Sequence, residues 1–209
     1  MLLDNITWTE FILDPENFEK VADQYYQQHI KEQSLDYAYV KNIPIDSDYF
    51  LKLETWDKNP FNTYVGKFRR DYAKDFTDTY TDILVASEPD YKSATVETLK
   101  KNLNLDELYC LHQTQMPGTM VGQHTDLNRG LSNILTEKDI ADKVKLKNIR
   151  KYIVYLDDWS HGQAFMSGRH AFTDWRKGDV MSFPWFMPHS TVNAGFKPRP
   201  ILFIAGVEF

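Results

Sequence analysis

Two histidines and an aspartate define the chemistry open to this chain. His124 and Asp126 are separated by one residue, and a third donor, His189, lies far downstream. On an extended strand alternate side chains project from one side, whereas on a helix residues i and i+2 point apart. The run from Met116 to Gln123 opens with Pro117-Gly118 and continues with short and β-branched residues, the pattern of a turn leading into a strand. The spacing therefore predicts that His124 and Asp126 stand side by side at a strand end. His189 follows Pro188 at the head of another β-like run, Ser190 to Gly195. Two imidazoles and one carboxylate are what a non-haem Fe(II) facial site requires, with one face of the metal left open. The same donors can hold zinc for hydrolysis.

From Met116 to the C-terminus the chain resembles the Fe(II)/2-oxoglutarate-dependent oxygenases, in particular their prolyl-hydroxylase-like members. The likeness lies in the order H-x-D, a distal His, then an Arg ten residues later, here His124, Asp126, His189 and Arg199. Tyr152 to Trp159 looks like the strand and turn that follow the H-x-D loop in those members, and the Gly178-Asp179 turn before an apolar strand also recurs in the family.

The resemblance implies a mainly β fold with flanking helices, a double-stranded β-helix of the jelly-roll, cupin-like kind. It implies Fe(II) on His124, Asp126 and His189, with 2-oxoglutarate and O2 as cosubstrates and ascorbate as an accessory. It places Arg199 and Tyr155 on the far carboxylate of 2-oxoglutarate, Thr191 close by and Asn193 at the pocket rim. A guanidinium fork and a phenol can bind one carboxylate together. One departure is Ile201, where many relatives carry Ser or Thr two residues after the Arg. That throws the second contact onto Tyr155 or Thr191 and leaves room for a different acid. Asp126 argues against the halogenating relatives, which have a small residue there.

The implied reaction is hydroxylation of a protein side chain or a small amino-acid-like molecule, with release of succinate and CO2. A nucleobase is the alternative substrate, and a jelly-roll binding or structural protein that keeps the ligand residues without catalysis is the rival from another class. In a zinc hydrolase Arg199 would be unexplained. No Gly-x-Ser-x-Gly elbow, phosphate-cradling Gly-rich loop or paired-cysteine zinc pattern occurs.

The positioning elements follow from the rest of the chain. Its 209 residues suffice for one substantial core, and no compositional shift marks a linker. A single domain is expected, with residues 1–105 as helical and strand support and 106–209 as the catalytic core. Net charge −6 and a pI near 5.5 argue against a protein built to grip a nucleic-acid backbone. The N-terminus has no basic region followed by an apolar run, and nowhere do eighteen apolar residues follow one another, so a soluble, cytoplasmic protein is expected. The lone Cys110 reads as a small core residue.

Residues 8–14 read as a strand, and Asp14-Pro15-Glu16 starts a helix that Phe18, Val21, Ala22, Tyr25 and Ile30 continue to about residue 32. Tyr37 to Val40 reads as a strand. Residues 49–91 are rich in aromatics, interleaved with Lys67, Arg69, Arg70 and Lys74, and read as packing or as a stacking surface. Residues 92–106 read as a helix capped by Ser93. Leu108 to Gln115 alternates as a strand whose site-facing side stays open, with His112 as a core or pocket histidine. The charged run 137–147 reads as a solvated loop or a lid, with Arg129 as a substrate contact. On Arg150 to Asp157, parity puts Ile153, Tyr155 and Asp157 on one face and Tyr152, Val154 and Leu156 on the other. Strands are also expected over 162–168 and 180–183, with His29 as a surface or partly packed histidine and His161 and His170 as surface histidines.

Overall fold

Alternating burial along the strands builds two facing sheets. The computed structural model describes residues 15–47, 83–86, 94–126 and 128–208. The strand expected at 8–14, the aromatic stretch 49–91 apart from 83–86, the Ser93 cap and the Arg129 side chain lie outside the described residues. The elements are α1 (Pro15–Lys31), β1 (Ala38–Asn42), β2 (Ile83–Ala86), α2 (Ala94–Leu103), β3 (Glu107–Gln115), β4 (Thr119–His124) and α3 (Arg129–Glu137). They continue with β5 (Ile149–Tyr155), β6 (Gln163–Ser167), β7 (His170–Phe172), β8 (Asp179–Pro184), β9 (His189–Asn193) and β10 (Arg199–Val207).

One sheet has six strands in the order β1-β8-β5-β10-β3-β2, and the other has four, β4-β9-β6-β7. Every pairing is antiparallel. Two such sheets with long-range strand order form a jelly roll, the double-stranded β-helix.

The larger sheet is buried on both faces, so its central strands are nearly continuous apolar runs. One face carries Tyr152, Val154, Leu156, Leu202, Ile204, Leu108 and Cys110, covered by Val96, Leu99 and Leu103 of α2. The other face carries Ile153, Tyr155 and Ile201 towards the smaller sheet, where Phe165 meets them. The parity expected for β5 is observed for residues 152–156, whereas Asp157 lies past the strand end and is exposed. Parity also decides β3: Cys110 and His112 turn towards α2 and away from the sandwich interior, while Tyr109, Leu111, Gln113 and Gln115 line it.

Cross-strand register arranges that interior in rows. Lys151, Ala205 and Tyr109 form one row, Ile153, Phe203 and Leu111 the next, then Tyr155, Ile201 and Gln113, and finally Arg199 with Gln115. Arg199 and Ala205 are six residues apart on one strand, a separation of about 20 Å. The two ends of the interior are thus chemically distinct, with Arg199 at one and Lys151 at the other.

Three expectations need correction. The charged run 137–147 is not free as a lid: its charged side chains are exposed, as a solvated face would be, but it follows α3 with two 3-10 turns, Ala141–Lys143 and Leu146–Asn148. Leu131 and Leu135 lie one helical turn apart and, with Val144 and Leu146, are buried against Phe18, Ala22 and Trp185. Such packing holds the segment down rather than leaving it free as a lid. His29 is not a surface group but a buried partner of Asp36, Nε2 to Oδ1 3.0 Å. Asn193 is no pocket rim: it is fully buried, its amide donating to the carbonyls of Gln115 at 2.9 Å and Lys197 at 2.8 Å.

Candidate metal centre

His124 is the last residue of β4 and His189 the first of β9, and the β4–β9 register makes them direct cross-strand partners. Their ring centroids are 4.4 Å apart. The ladder is irregular between Val121 and His124, and Asp126 falls two residues beyond the strand end rather than on it. The chain nevertheless brings its carboxylate back between the rings. His124 Nε2 is 3.4 Å from Asp126 Oδ1, and His189 Nε2 is 3.2 Å from Asp126 Oδ2. Ligand atoms of all three residues lie within 4.8 Å of one another, the one such group of three among the described residues.

The second ring nitrogens fix which atoms face inward. His124 Nδ1 donates to the Gly122 carbonyl at 2.8 Å, and His189 Nδ1 donates to the Met187 carbonyl at 3.0 Å. A carbonyl accepts only, so in the neutral rings the proton sits on Nδ1 and the Nε2 lone pair points at the carboxylate. Burial, the largest influence, holds His189 below its usual pKa against the opposing charge of Asp126. For His124 burial also pushes downward, but the Asp126 hydrogen bond and charge outweigh it and the pKa ends above the usual value. Burial pushes Asp126 up, yet Lys151 and the two imidazoles hold it well below the carboxylate range. A neutral His189 thus aims a lone pair at an anionic oxygen. A metal ion between the two would accept both lone pairs, so the donor set fits a divalent metal. Phe165, Phe183 and Phe203 surround His189, with ring centroids at 5.9, 5.1 and 6.0 Å.

A residue that the spacing argument passed over completes this end. Lys151, only 1% exposed, donates from Nζ to Asp126 Oδ2 at 2.8 Å, and its ammonium lies 4.8 Å from the Phe203 ring centroid. The parity that placed Ile153 and Tyr155 inward applies equally to residue 151. A lysine on the inward face of a buried strand was the available signal.

At the other end, Arg199 is 3% exposed and donates from Nη2 to the Thr191 hydroxyl. Thr191 in turn donates to Gln115 Oε1, whose amide Nε2 donates to the Thr119 carbonyl at 3.1 Å. This relay holds the guanidinium in place. Its Nε and Nη1 are buried and have no hydrogen-bond partner among the described residues, and neither has the Tyr155 hydroxyl. Trp175 stacks on Tyr155 at 4.0 Å and 12°, with Arg199 Cζ 6.0 Å from the Trp175 ring. Burial pushes Arg199 down to about 10, with the Tyr155 charge acting the other way, and pushes the Tyr155 phenol up. An unpaired buried cation beside an orphaned hydroxyl is costly, and a carboxylate satisfies both. Arg199, Tyr155 and Thr191 therefore gather at one end of the interior. Ile201 pairs across from Tyr155 as plain core.

No family model matches the chain, and no curated protein does. Among solved structures, the viral collagen prolyl hydroxylase of Paramecium Bursaria Chlorella virus-1, in its 2OG complex, is similar with a TM-score of 0.50. The identity is 11%, over 84% of this chain and 98% of that one. A Pseudomonas putida prolyl-4-hydroxylase aligns with a TM-score of 0.48 and 12% identity, over 91% and 98%. A predicted oxalate decarboxylase from Thermotoga maritima aligns at 0.37 and 13%, over 60% and 81%. The first of these likenesses, together with the two antiparallel sheets, shows the architecture alone, a double-stranded β-helix.

Proposed function

We propose that this protein is an Fe(II)- and 2-oxoglutarate-dependent dioxygenase that hydroxylates a protein side chain or a small amino-acid-like molecule, releasing succinate and CO2. The observation that carries the reading is the pairing, in one sandwich, of a cluster of metal-ligating side chains with a buried guanidinium. Two imidazole Nε2 atoms and a carboxylate converge on one point, and a buried guanidinium whose Nε and Nη1 have no hydrogen-bond partner among the described residues lies deeper between the same sheets. A metal would complete the first and a diacid the second.

In this reading His124, Asp126 and His189 hold the iron, which when bound activates O2 and couples oxidative decarboxylation of 2-oxoglutarate to substrate hydroxylation. Arg199 and the Tyr155 hydroxyl take the far carboxylate of the cosubstrate. Thr191 and Gln115 keep Arg199 oriented, so little reorganisation is left to binding. The Gly122 and Met187 carbonyls keep the imidazoles in the ligating tautomer. Phe165, Phe183 and Phe203 screen His189 from water.

The test is a panel of peptides, free amino acids and oligonucleotides, read as succinate formed above the uncoupled background with Fe(II) and 2-oxoglutarate present. A peptide or amino acid is expected to raise succinate in the native protein and not in His124→Ala, Asp126→Ala or His189→Ala. Absence of both turnover and Fe(II) binding would instead support a binding protein that keeps the ligand residues as relics.

A further inference from the structure

We infer that Lys151 is a positioning residue that commits Asp126 to the metal through a single oxygen. The inference rests on His124, Asp126 and His189 being a metal site. The Asp126 carboxylate straddles the two imidazoles, with Oδ1 facing His124 Nε2 at 3.4 Å and Oδ2 facing His189 Nε2 at 3.2 Å. Left alone, such a carboxylate is disposed to offer both oxygens to one cation.

Lys151 breaks that symmetry. Its ammonium occupies Oδ2 at 2.8 Å, while Oδ1 faces the ligating Nε2 of His124 at 3.4 Å. The lysine cannot swing away at small cost. It is essentially unexposed, it stands on β5 between the β8 and β10 partners Phe183 and Ala205, and its charge lies over the Phe203 ring. A buried ammonium that abandoned its one carboxylate would be left desolvated and unpaired.

The consequence concerns the open positions on the metal. A six-coordinate ion held by two imidazoles and one carboxylate oxygen keeps about three exchangeable positions, and a chelating carboxylate would leave about two. A bidentate oxoacid fills two, so only the single-oxygen mode leaves a place for O2. Lys151 lies at the opposite end of the interior from Arg199 and acts on the metal ligand, not on the cosubstrate carboxylate.

The test counts water ligands on the Mn(II)-loaded full chain by ¹⁷O relaxation. The native protein and Lys151→Gln, which retains an N–H donor for Oδ2, should carry about three water ligands. Lys151→Met, of similar length but without a donor, should lose about one of them. An unchanged count in Lys151→Met, or the same loss in Lys151→Gln, would overturn the role of Lys151 while leaving the metal site intact. Equal Mn(II) affinity in the native protein and Asp126→Ala would instead overturn the metal site itself. The native protein gives a second readout that needs no variant at residue 151. The metal-induced infrared difference spectrum, assigned through Asp126→Ala, should show widely separated carboxylate stretches. Narrow separation, the mark of chelation, would contradict the role of Lys151.

Discussion

Arg199 holds its charge in a place where water cannot pay for it. With Nε and Nη1 lacking a hydrogen-bond partner among the described residues and a pKa pressed down to about 10 by burial, the guanidinium gains more from a carboxylate than a surface arginine would. Removing one partner of such a buried charged contact costs about 2–5 kcal/mol. Arg199→Ala is therefore expected to weaken 2-oxoglutarate binding by about 30-fold or more. The measurement is a titration of 2-oxoglutarate onto the Mn(II)-loaded protein, and unaltered affinity would remove Arg199 from the cosubstrate site. The four residues His124, Asp126, His189 and Arg199 were legible because their order and spacing survive in the linear chain. Lys151 was not, because its significance appears only when β5 is laid beside β10 and Asp126 returns from the loop.

Elements are joined by contacts that no local pattern announces. Asp36, wholly buried, accepts from Arg169 Nη2 at 3.0 Å and from the Arg169 backbone amide at 2.6 Å, and pairs with His29 of α1 and His170 of β7. It thereby ties the C-terminal end of α1 to the β6–β7 hairpin. Gly168 in that hairpin has φ +55, and a Cβ there would meet Asp36 Oδ2 at 2.6 Å. Burial pushes the Asp36 carboxyl up, but the hydrogen bonds from Arg169, His170 and His29 win and hold it well below the usual range. Because the folded pKa is the lower one, the stabilisation is fully present above the ordinary carboxylate pKa and is lost as pH falls through the folded value. Asp36→Asn is expected to cost about 2 kcal/mol at neutral pH and to flatten this acid limb. Urea unfolding at pH 7 and at successively lower pH reads both; a variant with an acid limb as steep as the native protein's would contradict it. The strands themselves were legible from alternation, and the faces of β5 from parity. The exposed charges of 137–147 were legible too, but the packing of the segment was not, since Leu131, Leu135, Val144 and Leu146, which decide it, are dispersed among polar residues.

At the scale of the whole molecule, the sandwich sets two clusters of polar side chains at fixed separation, the half-sites of the proposed reaction. The smaller sheet supplies His124, His189 and Thr191, and the larger supplies Lys151, Tyr155 and Arg199, with the inward rows fixing their order along the strands. Asp126 bridges the sheets through Lys151. Among the described residues no helix is long and apolar enough to cross a membrane. The jelly roll was legible through the resemblance of the C-terminal half. The place of the N-terminal elements was not, because β1 and β2 join the larger sheet by pairing with β8 and β3, partners distant in sequence. The claim that both half-sites serve one reaction is tested most directly by calorimetric titration of 2-oxoglutarate onto the native chain with and without Mn(II). The account predicts one equivalent bound when the metal is present, and binding lost both without metal and in Asp126→Ala. Binding of equal strength with and without the metal would contradict it.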